Sequence, residues 1–258
     1  MEKNLKITIV QSELHWENAV ANRTMFSKKI QNSEEKTDLF VLPEMFTTGF
    51  SMHAEKLAEP NDGETLQWMI SEAKKHNTAI TGSVIISENN IFYNRLFFVF
   101  PDGSYKKYDK KHTFTLAKEN ETYSAGKKRL IVDYKGWKIC PLICYDLRFP
   151  VWARNTDNYD VLIYVANWPK ARILAWNTLL RARAIENMAY CVGVNRTGFD
   201  ENNHEYNGHS ALYDVLGKQI SNSHTGEFIE TISLDKEHIQ NNRKQLQFLN
   251  DRDEFTLK

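Results

Sequence analysis

Short apolar runs and amphipathic stretches alternate along this chain from near its first residue to near its last. Period-two or continuous apolar runs predict strands at 5–11, 38–44, 78–86, 90–100, 104–111, 137–146, 159–167, 189–196, 210–217 and 227–234. Helical spacing predicts helices at 17–31 (Val20, Met25, Ile30), 64–76 (Leu66, Met69, Ile70, Ala73) and 173–188 (Leu174, Leu179, Ala182, Ile185). Pro101-Asp102-Gly103 marks a turn, because proline presets one φ and glycine admits a positive one. Strands and helices interleaved in this way imply an α/β domain whose strands stack as two sheets or form one large one. No Pro/Gly/Ser-rich linker divides residues 1–258, so they read as a single domain. The last stretch, about 235–258, is polar with isolated apolar anchors and reads as a surface tail or an arm toward a partner subunit.

Charge and composition remove several functions. Thirty-three Lys+Arg balance 33 Asp+Glu, which argues against a basic nucleic-acid binder. No apolar run approaches the roughly 20 residues of a membrane span, and the N-terminus lacks the apolar core and small-residue cleavage site of a signal peptide. Three cysteines, Cys140, Cys144 and Cys191, are too few and odd in number for a disulfide framework. A reducing, cytoplasmic compartment is expected. There is no Cys-x-x-Cys pair, no His-Glu-x-x-His helix and no Gly-rich phosphate loop, so neither a metal nor a nucleotide cofactor is expected.

Three of the expected strands end in chemically active residues: Glu44 after DLFVLP, Lys110 after SYKKYD and Cys144 after WKICPLI. Ligands of α/β sheets gather beyond strand ends. A carboxylate there is partly desolvated and suited to act as a base. An ammonium stabilises an oxyanion, and a thiol attacks as its thiolate. Each has a plainer reading: a surface or capping glutamate, a solvated basic patch, a small buried hydrophobe. Cys140 and Cys191 lie inside apolar runs and take that last reading. If the strand continued through Lys110, then Lys110 and His112 would share one face and Lys111 the other.

Taken together and in order, LPEMFTTGF, YDKKHTF and ICYDLRFP resemble the Glu, Lys and Cys signatures of the nitrilase superfamily of carbon–nitrogen hydrolases. VANWPKAR (165–172) and LLRARAIENMAYCVGVNRTG (179–198) extend the likeness over nearly the whole chain. The resemblance implies a four-layer α-β-β-α sandwich, assembled as a homodimer through helices flanking the cysteine strand. It implies Glu44 as general base, Lys110 as catalytic lysine, Cys144 as nucleophile and Glu119 as a second glutamate near the lysine. One departure is Pro141 inside the cysteine strand, where proline removes a ladder donor.

Within the superfamily the chain is most similar to the ω-amidase branch, which implies hydrolysis of the terminal amide of α-ketoglutaramate and α-ketosuccinamate. No cofactor is needed for such chemistry. The oxyanion is expected between Lys110 and the backbone N–H of Tyr145. A carboxylate-bearing substrate asks for a cation, first Arg172 and then Arg148, with Phe46, Phe114 and Trp168 as walls. Other amidases of the superfamily, a carbamoylase, an amidase for deaminated glutathione, and a silent scaffold of the same fold remain alternatives, because the trio does not separate the enzymes among them.

Overall fold

The computed structural model describes residues 4–256. The first half of the chain builds β1 (Asn4–Gln11), α1 (Ala19–Gln31), β2 (Leu39–Val41), α2 (Ala54–Leu57), β3 (Glu59–Pro60), α3 (Glu64–His76), β4 (Ala79–Glu88), β5 (Ile91–Val99) and β6 (Tyr105–Asp109). After α4 (Glu119–Thr122) come β7 (Val132–Tyr134), β8 (Trp137–Ile143), α5 (Pro150–Ala153), β9 (Val161–Ala166), α6 (Ile173–Asn187) and β10 (Tyr190–Asn195). A small hairpin, β11 (Thr197–Phe199) and β12 (Glu205–Asn207), precedes β13 (Ala211–Tyr213), β14 (Phe228–Asp235) and α7 (Lys236–Leu246).

The strands form two main sheets. One has the order β14-β1-β2-β4-β5-β6, with β3 paired on β4; the other has the order β13-β10-β9-β8-β7. Each has a parallel centre, β1-β2-β4 in one and β8-β9-β10 in the other, with antiparallel strands outside it except the short β3, which pairs parallel to β4. Alternation sorts the side chains into layers. Leu39 and Val41 enter the core between the sheets, with Leu96, Phe98, Ile139 and Leu142, whereas Phe40 and Leu42 point outward to Phe26, Leu66 and Met69 on α1 and α3. On the other sheet α6 lies so close that a Cβ on Gly193 would stand 2.4 Å from Leu180. The arrangement is the expected α-β-β-α sandwich, and burial of both sheet faces explains the continuous apolar runs.

Helices 64–76 and 173–188 form within one residue of expectation, but α6 buries a different face. Trp176, Leu180, Arg183, Ala184 and Asn187 are buried, while Leu174 is 78% and Ile185 47% exposed. The polar members of the buried face find partners: Arg183 donates through Nη2 to Leu147 O at 2.6 Å, and Asn187 Oδ1 accepts from Asn155 N at 2.8 Å. On α1, likewise, Phe26 and Ile30 are buried but Val20 is exposed.

Within the stretch 235–258, α7 docks on its own chain through the buried Ile239, and Leu249 just beyond it is buried as well. Arg243 donates to Met188 O at 2.8 Å and to Tyr159 O at 2.6 Å. Residues 257–258 lie outside the described residues. Pro141 is accommodated because β7 stops opposite Ile139 while β9 continues past it, leaving the position of the missing N–H on an open edge.

Candidate active site

β2, β6 and β8 end at the same end of the sandwich, and just past those ends the chain turns sharply. Glu44 follows β2 by three residues and is fully buried; Met45 after it takes a left-handed φ of 42° and donates its N–H to Ser83 Oγ at 2.9 Å. The strand before Lys110 ends at Asp109, so the side chains of 110–112 do not follow strand alternation. Lys110 is buried, whereas His112 turns to Asp146 and Lys111 lies over the Trp152 ring. Cys144 begins a 3-10 turn, Cys144–Arg148, directly after β8, and itself has a φ of 42°. A non-glycine residue in that region is strained, and such strain recurs where a side chain must be presented in one direction.

The three ends meet. Lys110 Nζ donates to Glu44 Oε1 at 2.8 Å and to Glu119 Oε2 at 2.9 Å. Glu119 opens α4 behind a left-handed Lys118 and accepts the Phe114 N–H at 2.5 Å. Glu44 Oε2 accepts the Asn167 N–H at 2.9 Å, and the Cys144 thiol lies 3.9 Å from the Asn167 carbonyl. Burial works against the Lys110 ammonium, but Glu119 and Glu44 together hold its pKa well above the ordinary lysine value. Burial raises the Glu119 carboxyl. Burial, with the neighbouring Glu44 carboxylate, pushes the Cys144 thiol far up, against the pull of Lys110. Cys144 therefore rests as a thiol beside a carboxylate rather than as a free thiolate.

Asp146 fastens the cysteine turn to the lysine segment. Its buried carboxylate accepts from Tyr108 OH at 2.7 Å, His112 Nδ1 at 2.8 Å and the Ile143 N–H at 3.1 Å. The His112 ring stacks on Phe149 at 3.7 Å. Tyr145 projects its ring between Phe114 and Phe149, 4.9 and 5.1 Å away. Its N–H lies in the first turn of the 3-10 segment, where backbone donors have no partner within the turn.

Cys144 and Lys110 open into a cavity of about 630 Å³. Phe114, Trp168, Arg148 and Arg172 all line it. Arg148 rests over Trp168 at 5.0 Å and Arg172 over Phe114 at 5.2 Å, and among the described residues neither guanidinium forms an ion pair. The opposite wall comes from the β11–β12 hairpin, with Asp200, His204 and Tyr206. Phe46, expected as a wall, instead lies in the outer core, 5.5 Å from Phe26 and 5.7 Å from Trp68. Sequence reasoning missed Asn94, Asp146, Asn167 and the hairpin. A polar Asn-Arg pair in the middle of an apolar strand was a readable signal for Asn94, since buried polar groups need partners.

The sequence model of the carbon–nitrogen hydrolase family matches residues 6–244. This chain belongs to the carbon–nitrogen hydrolase family. As a carbon–nitrogen hydrolase it is an enzyme, and several of its relatives are amidases. It is 43% identical over 254 residues to the omega-amidase YafV of Yersinia enterocolitica, covering 98% of each chain. It is 34% identical over 227 residues to the 2-oxoglutaramate amidase of Bacillus subtilis (strain 168), covering 86% of this chain and 87% of that one. Among solved structures, the carbon–nitrogen hydrolase superfamily protein XC1258 of Xanthomonas campestris superposes with a TM-score of 0.96 at 40% identity, over 99% of both chains. That structure carries an arsenic adduct in its active site.

Proposed function

We propose that this hydrolase is an ω-amidase, releasing ammonia from the terminal amide of α-ketoglutaramate or α-ketosuccinamate. The observation that carries the reading is the pair of unpaired guanidinium groups, Arg148 and Arg172, in the cavity into which the Cys144 thiol opens. They fit a substrate with a carboxylate at the end remote from its amide. The omega-amidase and 2-oxoglutaramate amidase relatives support it.

In the proposed mechanism Glu44 takes the thiol proton of Cys144 as sulfur attacks the amide carbon. The oxyanion is held by the Lys110 ammonium and the Tyr145 N–H. As the intermediate collapses, Glu44 passes the proton to nitrogen, the C–N bond breaks and ammonia leaves a thioester on Cys144. Glu44 then takes a proton from water as its oxygen attacks the thioester. The C–S bond breaks, the thiolate takes the proton back from Glu44, and the 2-oxo-diacid departs. Glu119 keeps Lys110 charged and in place. No metal or organic cofactor enters the scheme. We also propose a cytoplasmic homodimer. Among the described residues no helix is long and apolar enough to cross a membrane.

A second reading, a sister amidase for a bulkier amide such as deaminated glutathione, is favoured by the size of the cavity, about 630 Å³. Ammonia release from α-ketoglutaramate, succinamate, glutamine, deaminated glutathione and a neutral aliphatic amide separates the two. The ω-amidase reading predicts the highest kcat/KM for α-ketoglutaramate. It also predicts that Arg172→Ala or Arg148→Ala raises KM for that substrate about tenfold, the worth of one charge-assisted hydrogen bond, while sparing the neutral amide. A preference for the bulkier amide would move the substrate assignment to the sister branch.

A further inference from the structure

Two ionised glutamates around one ammonium, beside a thiol, form an arrangement that normally protonates one carboxylate. Glu44 and Glu119 both contact Lys110 Nζ, and both are fully buried. A base at Glu44 requires that carboxylate to be ionised while sulfur carries the proton.

We propose that Asn94 is the positioning residue that holds Glu44 ionised, by dividing its two amide hydrogens between the two carboxylates. Asn94 is buried on β5, with Nδ2 2.8 Å from Glu44 Oε1 and 3.2 Å from Glu119 Oε1. An amide nitrogen can only donate, so these bonds are made to lone pairs and not to a carboxylic O–H. They add hydrogen bonds to two anions without adding a charge. Asn94 Oδ1 has no partner and is buried, so those two bonds alone set the orientation of the amide. The reversed amide would aim its oxygen at two carboxylates. The main chain of the same residue carries the lysine: the Lys110 N–H donates to Asn94 O at 3.0 Å. One residue thus fixes the base, the second glutamate and the backbone of the ammonium bearer.

The remaining contacts of Glu44 agree. Its donors are Lys110 Nζ, Asn94 Nδ2 and the Asn167 N–H, none of which accepts a proton from it. The charged and titratable groups facing the cluster are Lys110 after β6, Glu119 and Tyr123 from the α4 segment, and Cys144 after β8. Arg95, the next residue on β5, faces the other way and pairs with Asp109 and Glu88.

The inference rests on Glu44 as the base but not on any one substrate. The test is therefore the rate of Cys144 alkylation by iodoacetamide against pH, run beside kcat/KM for the best amide. Wild type, Glu44→Gln, Asn94→Ser and Asn94→Asp are compared, each checked for folding by circular dichroism. Wild type should show an acid limb set by Glu44, which Glu44→Gln replaces by the ionisation of the Cys144 thiol alone. Asn94→Ser keeps a single donor, so the limb should move up by about one pH unit in both assays. Asn94→Asp adds a third carboxylate in the same volume, and its limb should move further up. KM should change little. Profiles that fall in amplitude with the limb unmoved would overturn the proposal, as would loss of folding in both Asn94 variants, since the residue would then serve the fold. A wild-type profile without an acid limb would remove the base on which the proposal stands, whichever amide is turned over.

Discussion

At Cys144 the backbone adopts a φ of 42°, which costs a non-glycine residue about 1–3 kcal/mol. The turn is held there from both sides. Asp146 accepts the Ile143 N–H and the two partners from the lysine segment, and Leu147 O takes the Arg183 guanidinium. The thiol is raised by burial and by Glu44, and this gives a sign to one prediction. Replacing Glu44 by Gln removes a negative neighbour, so the Cys144 thiol should titrate lower than in wild type. The base is lost at the same time, so turnover should fall by about 10²–10⁴. Thiolate absorbance and ammonia release in the same protein check both halves. A thiol that titrates higher in Glu44→Gln would contradict this electrostatic account. Glu44, Lys110 and Cys144 were legible because each follows an expected strand, and at Cys144 an apolar run changes abruptly to polar chain. Asn94 was marked only as a polar residue in an apolar strand, with partners 25 and 50 residues away, and Asp146 was not marked, because its side-chain partners on the lysine segment lie 34 to 38 residues away. Phe46 was misplaced because the turn at Met45 sends it back into the outer core.

Among the elements, α6 departs most from its sequence pattern. Its apolar stripe suggested the inward face, yet the helix buries Arg183 and Asn187 and leaves Leu174 and Ile185 in the open. Periodicity reports where apolar residues lie and not which of two surfaces they cover. Arg183 and Asn187 turn inward because the cysteine turn and the 155–159 loop offer them backbone and amide partners. Leu174 and Ile185 remain exposed, and α6 flanks the cysteine turn where the family resemblance places a homodimer interface. The proposed dimer therefore depends on this face. Leu174→Glu together with Ile185→Glu should shift the protein from dimer to monomer in light scattering while leaving its circular dichroism unchanged. A double variant that stays dimeric would place the interface elsewhere.

At the scale of the molecule, the sandwich brings together residues that are far apart in sequence. β2, β6 and β8 all end at one end of the sandwich, so Glu44, Lys110 and Cys144 converge there. That convergence is a property of topology, which is why strand ends alone pointed to the site. The cavity walls could be read less well. Phe114 and Arg148 lie close in sequence to Lys110 and Cys144, and Trp168 and Arg172 sit in the VANWPKAR segment, but the β11–β12 hairpin reaches the cavity from more than 50 residues beyond Cys144. The central claim is that these strand ends make a cysteine amidase working through an acyl-enzyme. Its most direct test is the mass of protein quenched during turnover of α-ketoglutaramate, with the adduct mapped to its residue. The account predicts the acyl group of the substrate, less ammonia, on Cys144, and neither adduct nor ammonia from Cys144→Ala. Ammonia released by Cys144→Ala at the wild-type rate would contradict it.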